Sequence, residues 1–180
     1  MKARTLGLLA LVAAAPALAD NPPSVPYAGE QTRIIKSLSE GDIAALLKGE
    51  GMGMAKAAEL NGYPGPAHVL SLAGQLKLTE DQRRQVQAIF DRMSAAAKPL
   101  GTELVDRERM LDRLFAKGEI TPQHLAAETT AIAALQGRLR SVHLAAHLET
   151  RALLDAEQSA LYQKLRGYGD PAQPTHHHHG

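Results

Sequence analysis

Leu78-Thr79-Glu80-Asp81-Gln82 and Leu154-Asp155-Ala156-Glu157-Gln158 are two pentads built alike. In each, a short polar side chain, Thr79 or Asp155, can accept a hydrogen bond from the backbone N–H three residues on. Gln82 or Gln158 can reach back to the N–H of that cap residue. This reciprocal arrangement is a capping box, so both pentads mark helix starts. Between them, Lys117-Gly118-Glu119-Ile120-Thr121-Pro122 reads as a tight turn, with Thr121 as cap and Pro122 at a first helical position. The stretch 78–166 is therefore expected to form two long helices folded back on each other, with a short helix added.

Apolar spacing supports this reading. Val86, Phe90, Met93, Ala97, Leu100, Leu104, Leu111 and Phe115 recur at helical intervals over residues 80–116, broken only at Arg107-Glu108. Pro99 lies inside this stripe, where it lacks an N–H and is expected to bend the helix. The second stripe is Leu125, Ile132, Leu135, Leu139, Val142, Ala146 and Leu153. Upstream, Ser39-Glu40-Gly41-Asp42 is another capping sequence and opens a short helix ending near Gly49. Two further short helices are expected over 55–60 and 67–76, on either side of the turn Asn61-Gly62-Tyr63-Pro64-Gly65-Pro66. The fold class is all-α: a long antiparallel helical hairpin with a short C-terminal helix, short N-terminal helices packed on it, and no sheet. Such a hairpin leaves apolar surface to be covered by the N-terminal helices, a second copy of the chain, or both, and a homodimer is expected.

The ends of the chain are of a different kind. Lys2 and Arg4 precede the apolar run Leu6 to Ala15, and Ala17-Leu18-Ala19 is a small-x-small cleavage pattern. Residues 1–19 are read as a cleaved signal peptide, and the Ala-Leu-Ala site disfavours the alternative of an uncleaved anchor. The protein is accordingly expected in the periplasm. Residues 20–36 are read as an extended linker, on the strength of Pro22, Pro23 and Pro26. Residues 37–168 are read as a single domain, since 180 residues suffice for one core and not two. Residues 169–180 are expected to be a disordered tail with His176, His177, His178 and His179, either a purification scar or a native tract that binds metal ions.

Composition narrows the function. Without residues 1–19 the chain carries 18 basic and 19 acidic residues, a formal charge of −1 that argues against nucleic acid as a partner. There is no cysteine, so disulfides, thiol chemistry and cysteine metal sites are excluded in an exported protein. No nucleophile elbow, phosphate-cradling Gly loop or His-Glu-x-x-His motif is present, and no catalytic role or organic cofactor is expected. What remains is His143 and His147, one turn apart on the second long helix, the spacing at which two imidazoles can share one ion. With Leu139 at zero, they fall about 40° and about 80° from the stripe centre, at the edge of the buried face. The pair is either two boundary residues hydrogen-bonded at a helix interface or part of a metal site. His68, Glu59, Met52 and Met54 are candidate further ligands, with Met52 and Met54 equally readable as adaptable packing side chains. Imidazole and carboxylate suit Zn, Ni, Co or Cu(II), and methionine suits Cu(I). His124 is expected to be a solvated surface residue.

The paired pentads, the apparent signal peptide and a cysteine-free helical chain together resemble the Spy/CpxP family of periplasmic proteins, which includes CnrX- and ZraP-like heavy-metal resistance proteins. The first pentad matches the family's Leu-Thr-x-x-Gln pattern in full, and the second replaces Thr by Asp, which keeps the cap. The resemblance covers roughly residues 66–168 and leaves 20–65 aside. It implies one of two activities: metal binding and reporting to a membrane-bound stress or efflux regulator, or ATP-independent holding of unfolded client proteins on a concave face. In the metal-sensing branch, the ligands are an early His pair, a Glu, and a late His-x-x-x-Met. Here only His68 stands in the early region, and the late motif is His143-x-x-x-His147. The expected function is metal-ion sensing or buffering through His143 and His147 with His68, and the alternative is a periplasmic holdase.

Overall fold

Residues 26–168 are described by a computed structural model. The expected signal peptide and the histidine tail, His176 to His179, lie outside the described residues. Among the described residues six α-helices follow one another: α1 (Glu40–Lys48), α2 (Lys56–Glu59), α3 (Pro66–Ser71), α4 (Glu80–Ala116), α5 (Pro122–Leu153) and α6 (Ala156–Leu165). There is no strand among the described residues, only an isolated bridge between Ile35 and Leu38. The protein is all-α, and α4 and α5 form the long hairpin.

The helix ends follow from side-chain and backbone chemistry. Ser39, Thr79 and Asp155 each accept the N–H three residues on, and Asp42, Gln82 and Gln158 return the bond to the cap. α4 ends because Gly118 takes φ +70°, which lets its N–H reach the Phe115 carbonyl and the Glu119 N–H the Leu114 carbonyl. α4 runs through Pro99 without interruption in its helical span. α3 is shorter than its apolar spacing suggests. The chain leaves the helix at Leu72 and continues in tight turns that still bury Ala73 and Leu76.

Two apolar clusters hold the hairpin. One joins Ile35 and Leu46 to Ala97, Leu100, Leu104 and Val105 of α4 and to Ile132, Leu135 and Leu139 of α5. The other joins Val69, Ala73 and Leu76 to Val86, Leu154 and Tyr162, together with Leu78. The leucine that opens each pentad is therefore a core residue.

The stretch expected to be an extended linker departs from that reading where it is described. Glu30–Thr32 forms a 3-10 turn, and Ile35 is fully buried in the first cluster. The Lys36 N–H donates to Asp112 of α4 at 3.0 Å, and the Ser37 hydroxyl donates to Glu108 at 2.7 Å. Burying a whole isoleucine contributes about 1.5–3 kcal/mol, which with these two hydrogen bonds helps hold the segment against the hairpin.

Candidate functional site

His143 and His147 come after Leu139 of the first cluster and before Leu154 of the second, on the side of α5 that faces the N-terminal helices. Helical-wheel geometry places them at the edge of the buried face. Both are in fact buried, at 3% and 9% exposure, because α2 and α3 cover that side. They line one cavity of about 470 Å³ together with His68, Glu59, Met52 and Met93. Gly51, Gly65, Lys56 and Arg166 complete the charged and close-packed part of the wall.

Each imidazole lies against a glycine. A Cβ on Gly65 would stand 2.9 Å from Cε1 and Nε2 of His147, and one on Gly51 would stand 3.4 Å from Nδ1 of His143. Gly65 sits at φ −80°, ψ 143°, a conformation open to any residue, so its missing side chain serves space and not backbone freedom. His147 donates its Nδ1–H to the Tyr63 carbonyl at 2.7 Å. That bond leaves the lone pair on Nε2, the tautomer in which a second-shell carbonyl orients a metal-ligating histidine. Nε2 of His143 is buried without any hydrogen-bond partner. Burial first, and His147 second, push the His143 pKa down; burial, then the charge of Arg166, lower that of half-exposed His68. Both rings are thus held in the neutral form that binds metal ions.

Glu59 stands at the centre of a separate network. It is 7% exposed, and α2 holds it over the end of α6. Oε1 accepts the Tyr162 hydroxyl at 2.5 Å, and Oε2 accepts the Gly65 N–H at 3.1 Å. Arg166 Nε lies 3.4 Å from Oε1, His68 Nδ1 3.5 Å from Oε1 and His147 Nδ1 3.7 Å from Oε2. Of these three only Arg166 carries a fixed charge; none has hydrogen-bond alignment, and Arg166 Nε has no hydrogen-bond partner. Burial and the Glu59 carboxylate push the Tyr162 hydroxyl far up, which keeps it a donor. Among the described residues, no group of three His, Asp or Glu side chains is set as a ready ligand shell. The imidazoles share a cavity, but the carboxylate beside them is engaged elsewhere.

The remaining sequence candidates divide. Met52 lines the cavity, while Met54 packs on the first apolar cluster. His124 is exposed near the turn, its ring 3.3 Å from the Glu119 carbonyl. Met93, Tyr162 and Arg166 also belong to this region, and their sequence neighbourhoods do not mark them as site residues. Tyr162, the sole aromatic of α6, carried the one available signal, because a buried tyrosine hydroxyl needs a partner.

The pentads account for the rest of the architecture. Gln82 donates to Gln158 Oε1 at 2.8 Å, and Gln158 donates to Gln82 Oε1 at 3.0 Å. The same amides reach the carbonyls of Leu153 and Leu76. The two helix starts are thereby tied directly together. No curated protein and no solved structure matches the chain. The family model described as the LTXXQ motif family protein matches residues 67–166, the span from α3 to the end of α6 that these two glutamines join. By that match over more than half its length, and by the pentads that give the motif its structural meaning, this chain belongs to the LTXXQ motif family.

Proposed function

We propose that this chain is a non-enzymatic periplasmic protein that senses or buffers metal ions through an imidazole site built on His143 and His147, with His68 at its mouth. One observation carries the reading: three imidazoles from α3 and α5 face a single cavity, and the most buried has an unpartnered nitrogen. A buried, unpaired polar nitrogen costs about 1–3 kcal/mol, which a bound ion would recover. The tail histidines His176 to His179 would add a weaker solvated site. The bound state would be reported to a membrane-bound stress or efflux regulator, and among the described residues no helix is long and apolar enough to cross a membrane itself.

The test is calorimetric titration with Zn(II), Ni(II), Co(II) and copper ions of full-length protein in which His176 to His179 are all changed to alanine. A His143→Ala/His147→Ala partner is run beside it. Binding of one ion per chain, lost in the double variant, is expected. No binding in the parent would sink the reading and favour the holdase alternative. That alternative draws on exposed apolar side chains near the hairpin turn, Met110, Phe115 and Leu125, which could hold unfolded clients.

A further inference from the structure

The donor set around this cavity suits a soft monovalent ion better than a hard divalent one. Zn(II), Ni(II) or Co(II) would be best served by a carboxylate beside the imidazoles. The one carboxylate buried here, Glu59, already accepts from Tyr162 and from the Gly65 N–H, and the Arg166 guanidinium lies 3.4 Å away. Lys56 adds a second cation to the wall, and Glu50 is the only other acidic residue there. Repulsion from a fixed cation scales with the charge of the ion, so a dication is opposed twice as strongly as a monocation at the same place.

The other donors are soft. Met93, from the middle of α4, and Met52, from the loop before α2, both line the cavity with the imidazoles. Met93 is partly buried, and Met52 is held at φ +45°, a left-handed conformation rare for a residue with a side chain. His143 is more than nine-tenths buried with Nε2 unpartnered, and the Tyr63 carbonyl leaves His147 with its lone pair on Nε2. Thioether and neutral imidazole are the ligands of Cu(I), which accepts low coordination numbers and needs no carboxylate.

We propose that the cavity binds a soft monovalent ion of the Cu(I) class, with Met93 and Met52 joining His143 and His147 as ligands. This rests on the metal-binding reading above and narrows it to one chemical class. Met93 is the residue that separates the two: the site built on His143, His147 and His68 does not use it, and it is required here.

The experiment uses the full chain with His176 to His179 changed to alanine, under anaerobic reducing conditions. Cu(I) affinity is measured by competition with a chromogenic chelator and Zn(II) affinity by a second indicator. Parent, Met93→Leu, Met52→Leu and His143→Ala/His147→Ala proteins are compared. Leucine keeps the volume of methionine, and a thermal melt of each apo variant confirms that it folds. Cu(I) is expected to bind more tightly than Zn(II), and Met93→Leu to weaken Cu(I) by about tenfold or more with Zn(II) unchanged. X-ray absorption of the Cu(I) form should show sulfur neighbours that diminish in Met93→Leu. Zn(II) bound as tightly as Cu(I), or Cu(I) affinity indifferent to Met93→Leu and Met52→Leu, would overturn the soft-ion assignment and leave the imidazole site standing. Failure of both ions to bind, or binding that survives loss of both histidines, would overturn both.

Discussion

Gln82 and Gln158 do two jobs with one side chain. Each Oε1 accepts the N–H of its own cap residue, at 3.1 and 3.2 Å, while each Nε2 donates across to the other glutamine. Glutamate would serve the capping box equally well, but it has no N–H to give and would set a negative charge against its partner. We therefore expect Gln82→Glu to cost about 1–3 kcal/mol of stability in urea unfolding, more than a solvent-facing cap residue is worth. Gln82→Ala and Gln158→Ala should be non-additive, with a coupling of about 1 kcal/mol in a double-mutant cycle. Additive losses would mean that the two helix starts are capped independently. The buried imidazoles make a prediction of the opposite chemical kind. His143 and His68 have lowered pKa values in the folded protein, so the unfolded chain binds their protons more readily. Stability from these groups is complete above the unfolded value of about 6.5 and falls as the pH drops below it. Urea midpoints at pH 7.5 and 5.5 should show the loss, and His143→Gln should reduce it. A midpoint indifferent to that substitution would assign the acid sensitivity to other groups.

Close approach of backbones fixes how α1 lies on α4. A Cβ on Gly101 would fall 2.1 Å from the Leu46 carbonyl oxygen, and one on Gly49 would fall 3.2 Å from the Lys98 nitrogen. The obstacle at Gly101 is main chain, which cannot swing aside as a side-chain tip can. Gly101→Ala should push α1 off the hairpin and cost about 3 kcal/mol, at the upper end for overpacking, read by urea unfolding. Gly137→Ala on α5, which meets nothing within 4 Å, should instead stabilise slightly and serves as the control. Such contacts explain what sequence could and could not convey. The bounds of α4 were readable because both ends carry local chemistry, a capping box at Thr79 and a glycine at 118. α3 was over-extended because the apolar spacing of Val69, Leu72 and Leu76 fits successive turns as well as a helix. Ile35 is not legible as a core residue, because it follows a proline-rich stretch and its burial depends on partners in α4 and α5. The same holds for the site. The His143–His147 spacing is local and was seen, but His147 meets Tyr63 across 84 residues and Tyr162 meets Glu59 across 103. No periodicity encodes those pairs.

The side of the hairpin away from α1 leaves a shallow groove between α4 and α5, floored by small side chains such as Ala96, Pro99 and Ala145. Its rim alternates in sign. Toward one end Arg92 of α4 pairs with Glu149 of α5 at 2.6 Å, and toward the other Glu103 of α4 and Arg138 of α5 line the opening. A second copy laid on this face with the helices antiparallel, about a two-fold axis lying across the groove, would bring Arg92 over Glu103 and Glu149 over Arg138 of its partner. The charge pattern is thus complementary to itself, which is what an isologous interface requires. We propose a homodimer through this groove. Sedimentation equilibrium should show it weakening with added salt, since exposed charge pairs are screened over about 10 Å at 0.1 M. Ala145→Glu, exposed on the groove floor and away from the imidazoles, should give a folded monomer with its melting temperature nearly unchanged. A parent chain that sediments as a monomer at tens of micromolar, or an Ala145→Glu protein that remains dimeric, would remove this face as the interface. In that case the apolar residues near the turn, Phe115 and Leu125, would be the next surface to test.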